Sequence, residues 1–211
     1  YHIKRLIEKK HPKGIDDYAT SNFYKPMGLH FTRFRPLNHF DRSQIAPTEE
    51  DGYFRNQLIR GHVHDMGAAM TDGVNGHAGL FSNATDLAKL MQMLLNDGVY
   101  GGTQFLSKEV VEEYTSCQFC PRNRRGAGFD KPVTTLDGGP TCNLVSLRSF
   151  GHSGFTGTQV WADPEYGVNY VFLSNRVYPD AENWKLVKMS VRTEIQRVIY
   201  EALQESTKEC D

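Results

Sequence analysis

The chain has 211 residues, enough for one domain with a substantial core and too few to make two full domains the first expectation. Hydrophobic residues make up 39%, charged residues make up 23%, and the net charge is −1, so the basic excess usual in nucleic-acid-binding proteins is absent. Composition favours a small-molecule or peptide partner. No apolar run approaches the roughly 18 residues that span a bilayer, and no transmembrane segment is predicted.

The chain is predicted to open with two helices followed by a long loop. Ile3, Leu6 and Ile7 share one helical face, and no capping residue precedes them, which is typical of a helix cut at its start. Residues 15–23 predict a second short helix, ended by a proline and a glycine. The stretch from there to about residue 75 has no sustained period and is predicted to be irregular.

The strongest helical pattern lies over residues 83–98. Asn83 suits the N-cap, Asp86 suits the positive end of the helix, and Gly98 suits a left-handed end. The predicted buried stripe consists of Leu87, Leu90, Met91, Leu94 and Leu95. Ser107 is predicted to cap a shorter helix over 108–114.

An antiparallel sheet is predicted in the last third of the chain. Residues 144–150, 159–163 and 168–174 read as strands, and the last two are joined by a turn sequence with proline and glycine. A final helix is predicted to cover one face of this sheet. Its apolar residues are Trp184, Val187, Val191, Ile195, Val198, Ile199 and Leu203. The fold class is therefore α/β (α+β), an antiparallel sheet flanked by helices.

The four cysteines, Cys117, Cys120, Cys142 and Cys210, include a single Cys-x-x-Cys pair. A zinc site would need a second close pair or histidines at ligand spacing, and a redox motif would need a βαβ context. Neither pattern is present, so the cysteines are predicted to be incidental thiols. No cofactor is expected.

The main candidate for a catalytic motif is the run Gly151-His152-Ser153-Gly154, which lies between two predicted strands. It nearly matches the Gly-x-Ser-x-Gly nucleophile elbow, but Phe155 occupies the last position and a strand follows where a helix is required. Ser153 is therefore a poor candidate for an elbow nucleophile. The small residues alone could equally belong to a glycine-rich hairpin with no catalytic role.

Two longer runs decide between these readings. Residues 76–90, GHAGLFSNATDLAKL, and residues 150–164, FGHSGFTGTQVWADP, resemble in that order the β-lactamase family of serine hydrolases, in its class C and penicillin-binding-protein branch. The likeness extends through residues 23–28, 45–49, 61–65 and 173–179. It is especially similar to the β-lactamase-type domain appended to some glycoside hydrolase family 3 β-N-acetylglucosaminidases.

The resemblance implies one incomplete β-lactamase/transpeptidase-like domain over residues 1–211, with a helical and loop-rich part over 1–142 and the strands and last helix over 143–211. Members of the family use a Ser-x-x-Lys pair, a Tyr-x-Asn or similar motif, and a Lys-Thr-Gly or His-x-Gly motif on a strand. Here no serine precedes a lysine by three positions and no tyrosine precedes an asparagine by two. The nucleophile is therefore expected to be absent.

His152, Ser153 and Gly154 match the third motif. By resemblance, His152 and Ser153 would face the substrate, and the backbone N–H of Phe155 would supply half of an oxyanion hole. The other half would come from the missing serine, so the chain alone is expected to be inactive.

The run His62-Val63-His64-Asp65 is a candidate metal site, because it contains two histidines two positions apart. The His-x-His-x-Asp spacing of metallo-hydrolases would place the aspartate at the position of Met66, so no metal is predicted. In the resembled family the loop carrying His64 and Asp65 borders the site. Substrate binding by this pair and a purely structural role in the loop are equally open. His77 is expected to be structural.

Three hypotheses follow. The first is a fragment of a serine hydrolase that acts on amide or ester bonds through an acyl-enzyme, with cell-wall peptides as candidate substrates. The second is a non-catalytic domain that binds cell-wall fragments or supports a glycoside hydrolase, and the third is an α/β-hydrolase that uses Ser153. The resemblance implies a bacterial periplasmic or cell-envelope location. Expected partners are the N-terminal part of the same domain, a glycoside hydrolase domain, or a second copy in a homodimer.

Overall fold

The computed structural model describes residues 1–133 and 139–208. The chain divides into two compact units. The first unit consists of Tyr1–Asp86 and Asn175–Asn183, and the second consists of Leu87–Ser174 and the chain from Trp184 onward. The prediction of a single domain with parts over 1–142 and 143–211 stays a prediction.

The first unit opens with the two predicted helices, α1 over His2–Lys10 and α2 over Gly14–Ala19. One π-helical turn, Thr20–Tyr24, extends α2. Both predictions are confirmed. Two short 3₁₀ turns follow, at Pro36–Asn38 and Arg42–Gln44.

Within the stretch predicted to be irregular, the first unit contains two antiparallel strands and a short helix, so that prediction was wrong in part. Strand β1 spans Pro47–Asp51, β2 spans Gln57–Arg60, and α3 spans Met66–Ala69. Polar residues fill buried positions of β1, where Glu49 and Asp51 are shielded from solvent. An alternation of apolar and polar residues, the usual signal of a strand, is therefore missing.

Helix α4 spans Ala84–Leu95 and confirms the strongest helical prediction. The side chain of Asn83 accepts a 2.8 Å hydrogen bond from the Asp86 amide, and Gly98 has a φ of +88°, which favours glycine at the end of the helix. The carboxyl group of Asp86 is buried and accepts a 2.7 Å hydrogen bond from the amide of Phe31. Among the hydrophobic residues of the helix, Met91, Met93 and Leu94 are buried.

After α4 come the two-residue strands β3, Val99–Tyr100, and β4, Thr103–Gln104, and then helix α5, Lys108–Thr115. Ser107 caps α5 as predicted, with its side chain accepting from the amide of Val110.

The cysteine prediction was wrong for one pair. Cys117 and Cys120 form a disulfide, which closes a short loop directly after α5. Cys142 is a buried free thiol, and Cys210 lies outside the described residues. Spacing alone did not distinguish a disulfide from two free thiols.

The main sheet belongs to the second unit and has the order β5-β6-β7, with both pairs antiparallel. Strand β5 spans Phe150–Ser153, β6 spans Gln159–Asp163, and β7 spans Val168–Phe172. The fold class and the β6–β7 hairpin are confirmed. The core beside the sheet includes Trp161, which is 1% exposed.

The first predicted strand was placed too early. Residues 144–149 form turns, and only Phe150 of the predicted range belongs to β5. The amide and hydroxyl of Ser146 both donate to the carboxyl group of Asp163, at 2.8 and 2.6 Å, and the amide of Ser149 donates to the carbonyl of Ser146. Backbone donors bound in this way cannot join a ladder.

The last helix is broken in two, with α6 at Lys185–Lys188 and α7 at Val191–Lys208. Its buried face differs from the predicted stripe, since Gln196 and Tyr200 are fully buried while Ile195 and Val198 are 40% and 64% exposed. The hydroxyl of Tyr200 donates to Asp163 and the side-chain oxygen of Gln196 accepts from the amide of Cys142, which offsets part of the cost of burying these polar groups. Over residues 1–133 and 139–208, no helix is both long enough and apolar enough to cross a membrane.

Candidate active site

His152 and Ser153 are the last two residues of β5, where they pair with Val160 and Gln159 of β6. The chain then turns, and the amide of Gly154 donates a 2.8 Å hydrogen bond to the carbonyl of Thr158. The motif thus lies at the end of a strand, in front of a tight turn back into the sheet. Its side chains are presented at that end and are at least partly accessible.

Two glycines make this close arrangement possible. A side chain at Gly151 would bring its Cβ to 2.2 Å from the carbonyl oxygen of Val160 and to 2.5 Å from the ring of Trp161. A Cβ at Gly154 would lie 2.3 Å from Oγ1 of Thr158. Packing therefore requires glycine at position 151 whether or not the residue belongs to a site, whereas a Cβ at position 154 would require the Thr158 hydroxyl to move.

His152 is exposed, and its two ring nitrogens have different partners. Nε2 lies 3.1 Å from Nη1 of Arg125, and Nδ1 lies 2.8 Å from the backbone carbonyl oxygen of Ser153. A guanidinium group has N–H donors and no acceptor, so Nε2 must be the acceptor in this contact. The arrangement therefore corresponds to a neutral imidazole with its proton on Nδ1.

Arg125 is held in turn by Asp130, whose side chain is only 5% exposed. The carboxylate lies 3.3 Å from Nη1 of Arg125 and receives two hydrogen bonds from Arg124, at 2.7 and 3.0 Å. Asp130 also exchanges both backbone hydrogen bonds with Gly151, at 2.7 and 3.1 Å. The residue whose carboxylate holds the two arginines is thus hydrogen-bonded through its backbone to Gly151, the residue before His152.

Ser153 lies in a strand, turn and strand context, which confirms that it does not belong to a nucleophile elbow. Its side chain is half-buried, and its hydroxyl has no hydrogen-bond partner within residues 1–133 and 139–208. The imidazole of His152 points its Nδ1 at the carbonyl of Ser153 and not at the hydroxyl. Among the residues that the structure describes, no general base is therefore paired with Ser153, and its hydroxyl can donate to or accept from a ligand.

Phe155 follows Gly154 at the same end of the sheet and is 56% exposed. Its ring meets that of Trp184 edge to face, with ring centroids 6.1 Å apart. This aromatic contact restrains the side chain of the residue whose backbone N–H is predicted to donate to the oxyanion.

His64 and Asp65 lie in the first unit, where each has a local structural partner. Asp65 accepts a 2.7 Å hydrogen bond from the amide of Ala68 and so caps α3. It also lies 3.0 Å from Nε2 of His77, whose predicted structural role this contact supports. Burial would raise the pKa of the Asp65 carboxyl, but the hydrogen bonds from Ala68 and His77 outweigh it and lower that pKa.

His64 belongs to a buried ionic network. Its Nδ1 lies 2.9 Å from Oε2 of Glu49, and Arg55 bridges the carboxylates of Glu49 and Asp51, each at 2.8 Å. Arg55 also donates to the carbonyls of Val63 and His64, at 2.7 and 3.1 Å. Burial alone would raise the pKa of Asp51, but Arg55 and three backbone amides hold it well below its usual value.

A cavity of about 370 Å³ opens beside this network. It is lined by His64 together with the acidic residues Glu49, Glu50, Asp51, Asp180 and Glu182. Such a lining disfavours an anionic ligand, so His64 would meet a neutral or cationic group there. No group of three or more His, Cys, Asp or Glu side chains is arranged for a metal ion among the residues that the structure describes.

The predicted site residues thus lie in two places, with His152, Ser153, Gly154 and Phe155 in the second unit and His64 and Asp65 in the first. Sequence reasoning missed Arg125 and Asp130, which contact the motif from a loop more than twenty residues earlier. The available signal was the Arg124-Arg125 pair in a glycine-rich loop, and it gave no indication of a contact with His152.

Comparisons with known proteins agree on one family. The family model described as Beta-lactamase matches residues 3–190. A relative from Escherichia coli (strain K12) carries the name D-alanyl-D-alanine carboxypeptidase. It is 36% identical over 188 residues, which cover 81% of this chain and 42% of the relative. One from Salmonella paratyphi B is 36% identical over 197 residues, covering 86% and 44%. The chain therefore spans less than half the length of these curated relatives.

Solved structures share the fold at lower identity. A β-lactamase from Mycobacterium bovis has a TM-score of 0.64 at 19% identity, covering 95% of this chain and 60% of the other. Unliganded simvastatin synthase from Aspergillus terreus has a TM-score of 0.66 at 18% identity, covering 93% and 52%. A penicillin-binding protein homologue from Caulobacter crescentus has a TM-score of 0.55 at 20% identity, covering 82% and 49%. At these identities the likeness concerns the fold alone.

Proposed function

Because this chain belongs to the β-lactamase family, we propose that it is part of a serine hydrolase of the D-alanyl-D-alanine carboxypeptidase type. The substrate is a peptide ending in D-alanyl-D-alanine, and the reaction is hydrolysis of its last amide bond through an acyl-enzyme. The chain contributes the wall of the site formed by His152, Ser153, Gly154 and the amide of Phe155.

The observation that carries this proposal is the presentation of the His-Ser-Gly motif at the end of β5. His152 is exposed there, the hydroxyl of Ser153 has no partner among residues 1–133 and 139–208, and a guanidinium lies against the imidazole. A hydroxyl on Ser153 and a positive charge against the neighbouring His152 suit a ligand carboxylate such as the end of a D-alanyl peptide. Resemblance and the names of the curated relatives point to the same substrate class.

The nucleophile in this proposal lies outside the 211 residues. No serine of the chain has a lysine three positions later, and no base is paired with the hydroxyl of Ser153 within the described ranges 1–133 and 139–208. The backbone N–H of Phe155 supplies one donor to the oxyanion, and the amide of the absent serine supplies the second. Because such donors act only opposite the charge that develops during acyl transfer, this wall alone gives little or no catalysis.

His64 and Asp65 of the first unit are proposed as substrate-binding residues. Asp65 keeps its own loop in place by capping α3, and His64 lines the acidic cavity beside Glu49 and Asp51. A periplasmic or cell-envelope location suits an enzyme that acts on cell-wall peptides. A glycoside hydrolase domain in the same protein and a homodimer are further parts of the proposal that concern the whole protein.

The test is release of free D-alanine from a diacylated L-lysyl-D-alanyl-D-alanine peptide by the full-length protein, including any residues that precede Tyr1. The full-length protein should release D-alanine, and the 211-residue chain should not. Ser153→Ala and His152→Ala should each lower kcat/KM roughly 10- to 100-fold, the range expected when one hydrogen bond to a charged ligand group is lost. A matched control is Ser116→Ala, which removes an exposed serine hydroxyl elsewhere in the second unit.

Activity of the 211-residue chain alone, abolished by Ser153→Ala, would instead favour an α/β-hydrolase mechanism. An inert full-length protein that still binds cell-wall fragments would support the non-catalytic accessory domain.

A further inference from the structure

The side chains around His152 form a closed set of contacts within the second unit. Asp130 holds Arg125 through its carboxylate, Arg125 reaches Nε2 of His152, and the backbone of Asp130 pairs with Gly151, the neighbour of His152. Each contact therefore limits the freedom of the next. An exposed histidine would otherwise rotate freely between several orientations.

The backbone of Arg125 is also fixed. Its carbonyl accepts a 2.9 Å hydrogen bond from the amide of Gln118, and its amide donates a 3.0 Å hydrogen bond to the side chain of Asn123. The disulfide between Cys117 and Cys120 closes the beginning of the same loop. The guanidinium is therefore delivered to His152 from an ordered backbone and not from a freely moving chain.

The two contacts of the imidazole select the same protonation pattern. Arg125 can only donate, so Nε2 of His152 carries the lone pair, and Nδ1 carries the proton that it donates to the carbonyl of Ser153. The charged groups that face the ring are Arg125 directly, with Arg124 and Asp130 behind it. A proton on Nε2 would point at the guanidinium, which is unfavourable.

We propose that Arg125 is a positioning residue that holds His152 as the neutral Nδ1–H tautomer and itself provides the positive charge beside the His-Ser-Gly motif. The geometry of the Arg125, His152 and Ser153 contacts carries this inference. Its meaning for catalysis rests on the proposed function, because the charge then lies where a substrate carboxylate would bind. The tautomer itself does not depend on that function.

Nitrogen NMR of the 211-residue chain labelled with ¹⁵N at histidine tests the inference directly. The chain has 8 histidines, and the signals of His152 are identified by their loss in His152→Gln. At a pH where the ring is neutral, Nδ1 should be the protonated nitrogen of His152. In Arg125→Ala the Nε2–H form should gain population, and Arg125→Lys, which keeps a cationic donor, should retain more of the Nδ1–H form.

Arg122→Ala serves as the matched control, because it removes one arginine from the same exposed loop. It should leave the His152 tautomer unchanged. A predominantly Nε2-protonated His152 in the unsubstituted chain would overturn the inference without any variant. A tautomer that is the same in Arg125→Ala would overturn it as well.

A second measurement joins the inference to activity. In the full-length protein, Arg125→Ala should raise KM about 10-fold for a peptide with a free C-terminal carboxylate, as loss of one charge-assisted contact would. The KM for the same peptide with a C-terminal amide should change little. An equal change for both peptides would contradict the assignment of the charge. Absence of any activity would count against the proposed function and leave the NMR result standing.

Discussion

The hydroxyl of Tyr200 in α7 donates a 2.8 Å hydrogen bond to Oδ2 of Asp163 at the end of β6, and both side chains are fully buried. The same carboxyl group also accepts from the amide and hydroxyl of Ser146 and from the amide of Glu165. A buried acid group thus joins the last helix, the β6–β7 turn and the segment before β5. Burial, and next the carboxyl group of Asp163, raise the pKa of Tyr200.

Tyr200→Phe should lower the free energy of unfolding by about 1–3 kcal/mol, because it removes one donor from a buried acceptor while keeping the ring. Urea denaturation followed by circular dichroism measures the change. Tyr166→Phe is the control, since Tyr166 packs edge to face on Tyr200 but is 41% exposed. It should change stability by no more than about 0.5 kcal/mol. Equal effects of the two substitutions would contradict the role given to the hydrogen bond.

Gly151→Ala should destabilise the second unit and disturb the motif. The new Cβ would overlap the carbonyl of Val160 and the ring of Trp161, so β5 must move away from β6. A loss of at least about 1–3 kcal/mol is expected from such overpacking. Gly52→Ala is the control, because nothing lies within 4 Å of the added Cβ. Thermal unfolding of the two variants should differ clearly, and similar midpoints would argue against the described β5 register.

Lys131 should make stability depend on alkaline pH. Its side chain is 7% exposed, and burial lowers its pKa from 10.5 to about 8, although Nζ donates to the carbonyl of Arg148. Between about pH 8 and 10.5 the unfolded chain binds a proton that the folded chain has lost, so this group makes unfolding less favourable as pH rises.

The gain from Lys131 is about 3 kcal/mol at most, since one pKa unit corresponds to about 1.4 kcal/mol. Lys131→Met should abolish it. The measurement is the change in unfolding free energy between pH 7.5 and 10, compared between the two proteins. Comparing the two proteins separates the contribution of Lys131 from that of all other titrating groups. The same pH dependence in both proteins would contradict the lowered pKa.

Arg55→Met should destabilise the first unit by about 3–5 kcal/mol, because the buried carboxylates of Glu49 and Asp51 would lose their common partner. The pKa of Asp51 lies below its usual 3.8, so its contribution is complete above that value and is lost as pH falls further. The variant should therefore lose less additional stability than the unsubstituted chain when the pH falls from about 4 to about 2. Arg42→Met, which removes an exposed arginine, should change neither quantity.

Local signals in the sequence predicted local structure well. The Asn83 cap and the Gly98 end of α4 were read correctly because capping depends on residues only a few positions apart. The β6–β7 hairpin was read correctly for the same reason, since its turn residues and strand pattern are contiguous.

Features that depend on distant partners could not be read in this way. Ser146 belongs to a strand by pattern, yet it forms a turn because Asp163 binds its amide. The buried face of α7 includes Gln196 and Tyr200, whose hydrogen-bond partners lie far away in the sequence, at Cys142 and Asp163. At the site, the motif itself was visible in the sequence, whereas Arg125 reaches His152 only through the bridge between Asp130 and Gly151.

The most direct measurement is the location of the acylated residue. The full-length protein would be treated with a fluorescent penicillin and digested, and the labelled peptide would be identified by mass spectrometry. We expect the label on a serine outside the 211 residues. The His152→Ala and Ser153→Ala variants should be labelled more weakly than the unsubstituted protein. A label on Ser153, or on any other serine of this chain, would contradict the assignment of the His-Ser-Gly motif as the wall facing a nucleophile that lies elsewhere.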